Sequence, residues 1–249
     1  MVVQLDEAGS EQMGVDIRRS NASRTYKMAS NVKAIWKKAD AVCFDVDSTV
    51  IREEAIDKLA EFCGKGKEIQ AMTSAAMSGK MSFRESLSTR LNLIRPSMQQ
   101  VQEFIRSKPP SLSVNIKKLI NCLQRRGVPI YLVSGGFRGI IGPIALELNI
   151  PLENIFANKL NFFLSGEFAG FDENELTSRD GGKGEVIKHL IQKFGYSNIV
   201  MIGDGNTDAE ASPPAHAFIG YGGNVVREAV KNKSQWYVTD FQELIDELS

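Results

Sequence analysis

Two aspartates directly follow a short apolar run. The run 41–44 leads into Asp45 and Asp47, which are separated by a single residue. Because side chains alternate along an extended strand, the two carboxylates can project in the same direction from the strand end. Two like charges this close repel each other, and folding them together costs free energy unless a cation or a shared proton relieves the repulsion. The pair therefore predicts metal-assisted chemistry.

Polar and glycine-rich segments recur where other apolar runs end. They are Ser134-Gly135-Gly136, then Lys183 at the start of a predicted helix, and then Gly203-Asp204-Gly205-Asn206-Thr207-Asp208. In open α/β sheets, ligands bind beyond the carboxyl ends of the strands. We therefore expect Asp45, Ser134 and Asp204 to meet at one edge of a sheet.

The hydrophobic pattern predicts the elements that position these residues. After residue 110, helical periodicity alternates with short apolar runs, and the alternation around Ser165-Gly166 predicts a small β-hairpin. Helices that alternate with strands predict an α/β fold, with a central parallel sheet flanked by helices. Residues 52–109 instead carry apolar residues at helical spacing without a strand pattern. We expect a catalytic core over 31–51 and 110–249, a helical segment over 52–109 and a polar, flexible extension over 1–30.

Composition excludes several classes of function. Lysine plus arginine and aspartate plus glutamate both total 30, so nothing favours electrostatic binding to nucleic acid or to an anionic membrane. The three cysteines and two histidines form no zinc-binding pattern, and so sparse a cysteine count favours a reducing compartment. The sequence has neither an apolar stretch long enough to span a bilayer nor a secretory signal. We expect a soluble cytoplasmic protein, with carboxylates as ligands that suit magnesium.

The ordered set of motifs resembles the haloacid dehalogenase superfamily of phosphatases. The resemblance rests on Asp45-x-Asp47-x-Thr49, on Ser134, on Lys183 and on the segment 203–208, all in the order that the superfamily uses. It implies a Rossmann-like core in which Asp45 is the nucleophile and Asp47 the general acid and base. Lys183 and Ser134 would then contact the transferred phosphoryl group, together with the Thr49 hydroxyl.

The same resemblance implies one Mg²⁺ ion per active site. Its protein ligands would be the Asp45 side chain, the backbone carbonyl of Asp47 and the Asp204 side chain. Asp208 would support the ion from behind these ligands. Binding of a dinucleotide is disfavoured, since both glycine-rich candidates lack the third glycine of that motif. They are Gly203-x-Gly205-x-x-Asp208 and Gly220-x-Gly222-x-x-Val225.

Longer stretches resemble the phosphoserine phosphatase family within this superfamily. They are Ala41 to Glu54, Leu132 to Arg138, Ile155 to Asn158, Gly170 to Glu173 and Gly181 to Lys183. The resemblance implies hydrolysis of O-phospho-L-serine in the last step of L-serine biosynthesis. It also implies that residues 52–109 form a cap resembling a four-helix bundle, and that the protein forms a homodimer.

Substrate residues follow from the family resemblance. Glu54 stands where the family binds the substrate ammonium group, and Arg90 stands where it binds the carboxylate. A guanidinium fork suits a carboxylate, although both residues taken alone would be ordinary helix-surface charges. The remaining expected contacts come from Ser48, Thr49, Met77, Ser134, Gly135, Gly136, Asn158, Lys183 and Thr207.

Two other functions stay open at this stage. The closer one keeps the chemistry and changes the substrate to another small phosphomonoester, such as a sugar phosphate. The more distant one is a phosphoryl-accepting signalling module, which also uses an aspartate, a lysine and magnesium. Such modules are about half this length, roughly 120 residues in one small domain, and they lack a helical insertion after the nucleophile.

Overall fold

The computed structural model describes residues 31–76 and 81–248, without the side chains of residues 71 and 73–76. The predicted extension over 1–30 and the expected substrate residue Met77 lie outside the described residues. Among the helices of the described part, none combines the length and apolar character that crossing a bilayer requires.

A parallel sheet forms the centre of the described structure. The strands of the chain are β1 (Ala41–Phe44), β2 (Ile130–Phe137), β3 (Ile155–Asn158), β4 (Leu160–Phe162), β5 (Phe168–Phe171), β6 (Ile199–Gly203), β7 (Ala217–Tyr221) and β8 (Trp236–Val238). Six of them pair in the order β3-β2-β1-β6-β7-β8, and every pairing is parallel. Strands β4 and β5 form the expected antiparallel hairpin. Because β2 and β6 lie on opposite sides of β1, the strand order changes direction at β1, where ligands bind in such sheets.

Helices cover both faces of this sheet, which confirms the predicted fold class. They are a helix over 31–37 (α1), α2 (Ala55–Phe62), α3 (Gly66–Ala76), α4 (Phe83–Ile94), α5 (Met98–Ser107), α6 (Ile116–Arg125), α7 (Arg138–Glu147), α8 (Gly182–Phe194), α9 (Asn206–Ala209), α10 (Glu228–Lys233) and α11 (Gln242–Asp246). Alternation along β1 divides the core, because Val42 and Phe44 pack in one apolar cluster while Ala41 and Cys43 pack in the other. The first cluster includes residues of α1, α6, α7 and α11, and the second includes residues of α8 and α10.

Helices α2 to α5 bury an apolar cluster that they share with neighbouring elements outside 52–109. Leu59, Ile69, Leu91 and Phe104 are buried together in it, beside Phe137 from the end of β2. Two capping boxes define where α4 and α5 begin, at Ser82 with Glu85 and at Ser97 with Gln100. The helical prediction for this segment is confirmed, while its status as a separate domain stays a prediction.

The structure extends one predicted strand and contains short elements that the sequence did not predict, among them β8, α10 and α11. Strand β2 extends through the Ser134-Gly135-Gly136 segment to Phe137, so α7 begins at Arg138 and contains Pro143 within its first two turns. The edge strand β8 was not predicted. It is only three residues long, and both Trp236 and Tyr237 remain partly exposed, so it lacks the buried apolar run that marks the central strands.

Candidate active site

The carboxyl ends of β1, β2 and β6 meet around one cavity, as expected. Its volume is about 190 Å³, below the range typical of drug-sized ligands, so it suits a small substrate. The expected site residues that line it are Asp45, Asp47, Glu54, Arg90, Gly135, Gly136, Lys183, Asp204 and Thr207. Three strands, α8 and two helices of the α2–α5 segment thus converge on a single pocket.

Asp45 is fixed by the turn that follows β1. The backbone over Val46–Val50 folds into a tight turn, in which Ser48 has a positive φ of 53°. The N–H of Val46 donates to Asp45 Oδ1 at 2.7 Å. Lys183 Nζ lies 2.8 Å from the same oxygen. The nucleophile candidate is therefore buried, oriented and paired with one cation.

Lys183 is held between two carboxylates. Its Nζ also donates to Asp208 Oδ1 at 2.6 Å, while the N–H of Gly205 donates to Asp208 Oδ2 at 2.9 Å. Burial alone lowers the pKa of the Lys183 ammonium, but Asp208 and Asp45 outweigh this effect and raise it. A Cβ on Gly203 would lie 2.2 Å from Asp208 Cγ, so only glycine leaves room for this carboxylate. Lys183 therefore remains a fixed positive charge.

Asp47 occupies a different electrostatic environment from Asp45. Burial raises its pKa well above the ordinary value, and the neighbouring carboxylates of Glu54 and Asp45 raise it further. Its Oδ1 accepts a hydrogen bond from the N–H of Ala55 at 2.9 Å. A Cβ on Gly136 would lie 2.8 Å from Asp47 Oδ2, so this glycine gives the carboxyl group its space. These surroundings favour the protonated form that a general acid needs.

Three buried aspartates form an oxygen-rich cluster suited to a metal ion. One carboxylate oxygen from each of Asp45, Asp204 and Asp208 lies within 4.8 Å of the others. Clustered carboxylates of this kind suit a hard divalent cation. Asp208 already uses both oxygens for Lys183 and Gly205. That Asp208 supports the ion rather than binding it directly stays a prediction.

Arg227 is a site residue that sequence reasoning missed. Its Nε donates to Asp204 Oδ2 at 2.9 Å, and its Nη2 donates to Glu54 Oε1 at 3.0 Å. The side chain thus connects an expected metal ligand with an expected substrate contact. The available signal was its place after β7, because that strand also ends in a glycine-rich segment, at Gly220.

Glu54 and Arg90 face the same cavity from the side of the helical segment. Ser48 Oγ donates to Glu54 Oε1 at 2.9 Å, so this expected substrate residue acts here by orienting Glu54. The Arg90 guanidinium is half-buried in α4, and its Nε donates to Ser86 O at 3.3 Å. Burial lowers its pKa, whereas the nearby carboxylates of Asp57, Glu54 and Asp47 oppose that shift.

Three expected substrate residues lie behind the cavity wall rather than in it. Thr49 Oγ1 donates to Asp204 Oδ1 at 2.9 Å instead of facing open space. Ser134 Oγ accepts from the N–H of Gly136 at 3.0 Å, and Asn158 Nδ2 donates to Gly135 O at 2.8 Å. All three side chains are buried, and in the arrangement that the structure describes they support the residues that line the pocket.

Comparisons with known proteins agree with this geometry. The family model of haloacid dehalogenase-like hydrolases matches residues 39–216. Phosphoserine phosphatase of Homo sapiens is 54% identical over 219 residues, covering 88% of this chain and 97% of the relative. The chloroplastic phosphoserine phosphatase of Arabidopsis thaliana is 49% identical over 216 residues, covering 86% of this chain and 73% of the relative.

A solved structure shares the same architecture. It is described as a phospho-aspartyl intermediate analogue of phosphoserine phosphatase, and it superposes with a TM-score of 0.73 at 26% identity. The match covers 85% of this chain and 99% of that chain. With the motifs, the sheet and the buried aspartates all in place, this chain belongs to the phosphoserine phosphatase family of the haloacid dehalogenase-like hydrolases.

Proposed function

We propose that this protein hydrolyses O-phospho-L-serine to L-serine and phosphate through an aspartyl-phosphate intermediate. The observation that carries the proposal is the pairing of Asp45 with Lys183 at 2.8 Å, in a cavity that Asp47 also lines. An oriented carboxylate beside a carboxyl group that favours its proton supplies both a nucleophile and an acid.

In the first half-reaction, an Asp45 carboxylate oxygen attacks phosphorus and forms an acyl phosphate. The bond between phosphorus and the serine oxygen breaks, and Asp47 donates its proton to that oxygen. Serine then leaves as a neutral alcohol. The N–H of Ala55, 2.9 Å from Asp47 Oδ1, stabilises the carboxylate that this transfer creates.

In the second half-reaction, the Asp47 carboxylate accepts a proton from water. The resulting hydroxide attacks phosphorus, the bond to Asp45 breaks, and both aspartates return to their starting protonation states. Lys183 stabilises negative charge on the phosphoryl oxygens in both steps, because its contact with Asp208 keeps the ammonium in place while Asp45 is phosphorylated.

The residues at the sheet edge also fit the expected cofactor, one Mg²⁺ ion per active site. Asp45 and Asp204 would hold it with the backbone carbonyl of Asp47, and Asp208 would support it from behind. A bound Mg²⁺ neutralises the charge of the phosphoryl group, so that an anionic nucleophile can approach.

Substrate selection is assigned to the helical side of the cavity. Glu54 binds the ammonium group of the substrate, and Arg90 binds its carboxylate. The backbone of Gly135 and Gly136 and the hydroxyl of Thr207 face the phosphoryl group from the core. In this assignment, residues 52–109 act as a cap domain on a core formed by 31–51 and 110–249.

Phosphate release from a panel of phosphomonoesters tests the activity. With Mg²⁺ present, O-phospho-L-serine should give the highest kcat/KM, ahead of sugar phosphates and phosphothreonine. Chelation by EDTA should abolish turnover, and added Mg²⁺ should restore it. Asp45→Asn should also abolish turnover, whereas the exposed Asp246→Asn should have no effect.

The rival substrate class has its own readout. If another small phosphomonoester is the substrate, Arg90→Ala leaves its turnover largely unchanged, since that ester has no carboxylate for Arg90. A stable aspartyl phosphate without turnover would instead favour the signalling module.

The biological setting follows the family. We assign the reaction to the last step of L-serine biosynthesis in the cytoplasm, in keeping with the sparse cysteines. A homodimer is the proposed assembly, and size-exclusion chromatography with light scattering tests it.

A further inference from the structure

One arginine of α4 joins the helical segment to the loop that precedes Lys183. Its guanidinium Nη2 donates to Glu173 O and to Ser178 Oγ, both at 2.9 Å. The Nη1 group donates to Glu173 Oε2 at 3.1 Å, and Nε donates to Ser178 O at 3.3 Å. This residue, Arg84, therefore binds both ends of the loop segment 173–178. A planar fork with several donors fixes such a contact in a single orientation.

The residue before Arg84 adds two more contacts between the same parts of the molecule. The N–H of Phe83 donates to Asp180 Oδ1 at 3.0 Å. The Phe83 ring lies directly on Gly135, where a Cβ would come within 2.6 Å of its Cζ atom. The first turn of α4 thus contacts both the loop before α8 and the phosphate-facing end of β2.

The loop that Arg84 binds is packed against two parts of the active site. Thr177 Oγ1 donates to Asn158 Oδ1 at 3.0 Å, and Asn158 donates in turn to the carbonyl of Gly135. A Cβ on Gly182 would lie 2.1 Å from Leu176 O, so the loop also touches the residue before Lys183. A displacement of this loop would therefore disturb both Gly135 and the start of α8.

We propose that Arg84 is a positioning residue that latches the helical segment closed and thereby fixes the loop leading to Lys183. The segment is covalently joined to the core through the chain before α2 and the chain after α5. The position that it holds against the core therefore depends on polar contacts such as these, together with the apolar cluster that it shares with Phe137, Ile140 and Phe168. The role of Arg84 in turnover rests on the proposed function. Its role in ordering the loop does not, because that role requires no substrate.

Hydrogen exchange on the substrate-free protein tests the ordering role. In Arg84→Gln, the amides of residues 172–181 should exchange at least about 3-fold faster than in the parent, since opening of this region becomes easier. The matched control is Arg106→Gln, because Arg106 lies on α5 of the same segment, 78% exposed and paired with Glu103. The control should exchange like the parent.

Steady-state kinetics tests the role in turnover. A smaller closed population raises the apparent KM in proportion, so Arg84→Gln should raise KM for O-phospho-L-serine about 3- to 10-fold. The value of kcat should stay within about 2-fold, because bound substrate restores the closed state, in which the loop and Lys183 are positioned as in the parent. Arg84→Lys keeps the charge without the fork and should recover only part of the loss.

Unchanged exchange and unchanged KM in Arg84→Gln, matching Arg106→Gln, would overturn the proposal. If Arg84→Gln fails to fold, the double variant with Glu173→Ala and Ser178→Ala, and each single variant, remove the side-chain partners of Arg84 on the core side and leave only the two backbone carbonyls. Each should accelerate exchange of the loop, and parent-like exchange in all three would equally refute the latch. If Arg84→Gln exchanges faster but the parent protein does not hydrolyse O-phospho-L-serine, only the proposed substrate is refuted.

Discussion

Lys183 Nζ lies 2.6 Å from Asp208 Oδ1, closer than its 2.8 Å contact with Asp45. The two carboxylates therefore share one ammonium group. Asp208 holds the lysine at the start of α8. The ion pair with Asp45 places the same ammonium group where the phosphoryl group of the substrate is expected. Because Asp208 and not the proposed nucleophile holds the lysine, Asp45 can change its bonding without losing the cation.

Removal of the shared cation should reduce catalysis far more than it reduces binding. In Lys183→Met, we expect kcat to fall by about 10²–10³-fold, the typical loss when one preorganised charge-stabilising group is removed. Lys188→Met is the control, because Lys188 lies on the same helix with a mostly exposed side chain. Stopped-assay phosphate release at saturating substrate measures both variants, and a Lys183→Met enzyme with parent-like kcat would contradict the assigned role.

The proposed role of Asp47 as an acid predicts a dependence on the leaving group. Asp47→Asn cannot protonate the departing oxygen, so turnover of O-phospho-L-serine should fall by about 10²–10⁴-fold. p-Nitrophenyl phosphate releases a much weaker base, which needs little protonation. Formation of the phosphoenzyme from this ester, measured as a nitrophenolate burst, should therefore be far less affected. An equal loss in the burst and in phosphoserine turnover would count against Asp47 as the acid.

The pKa of Asp47 also predicts a pH-dependent stability difference. Because burial raises the pKa of Asp47 in the folded protein, the unfolded chain loses this proton first as the pH rises above about 3.9. The folded state is therefore increasingly disfavoured up to its own, higher pKa, and the cost is constant above it. Asp47→Asn removes this cost, so its Tm should exceed that of the parent by about 2–4 °C at pH 7.5.

The same comparison carries its own control at low pH. Near pH 4, Asp47 is protonated in the folded protein and the difference in Tm should nearly vanish. Thermal unfolding of the metal-free proteins in EDTA measures both conditions. A stability gain that is equal at the two pH values would show that packing, and not charge, is responsible.

The sequence was sufficient to predict the positions of residues that follow recognisable strand ends. It was less sufficient to predict the contacts of residues that act through a partner side chain. Asp45 and Asp204 follow buried apolar runs, so their meeting at one sheet edge could be predicted. Thr49 and Asn158 were expected to contact substrate, but they are hydrogen-bonded to Asp204 and to Gly135 O. Spacing along the chain identifies which residues converge, yet the direction of a hydroxyl or an amide depends on packing from distant segments. Arg227 was missed for the same reason.

Arg227 should affect the recognition of the substrate ammonium group through its contact with Glu54. Its guanidinium holds Glu54 Oε1 at 3.0 Å and Asp204 Oδ2 at 2.9 Å. In Arg227→Gln, Glu54 loses a charged donor and its fixed orientation, so kcat/KM for O-phospho-L-serine should fall by about 5- to 20-fold, in line with a partly exposed charged hydrogen bond. The des-amino analogue, 3-phosphooxypropionate, cannot use Glu54. Its kcat/KM should fall less, and the preference for the amino substrate should shrink.

The control for Arg227 must remove an arginine that touches neither carboxylate. Arg125→Gln meets this need, because Arg125 is exposed on α6 and its Nε donates only to Asn121 O of the preceding turn in the described structure. It should preserve both kcat/KM values. Equal losses on the two substrates in Arg227→Gln would mean that this arginine acts through Asp204 alone. An unchanged preference would therefore assign Arg227 a role at Asp204 and not a role in choosing the substrate.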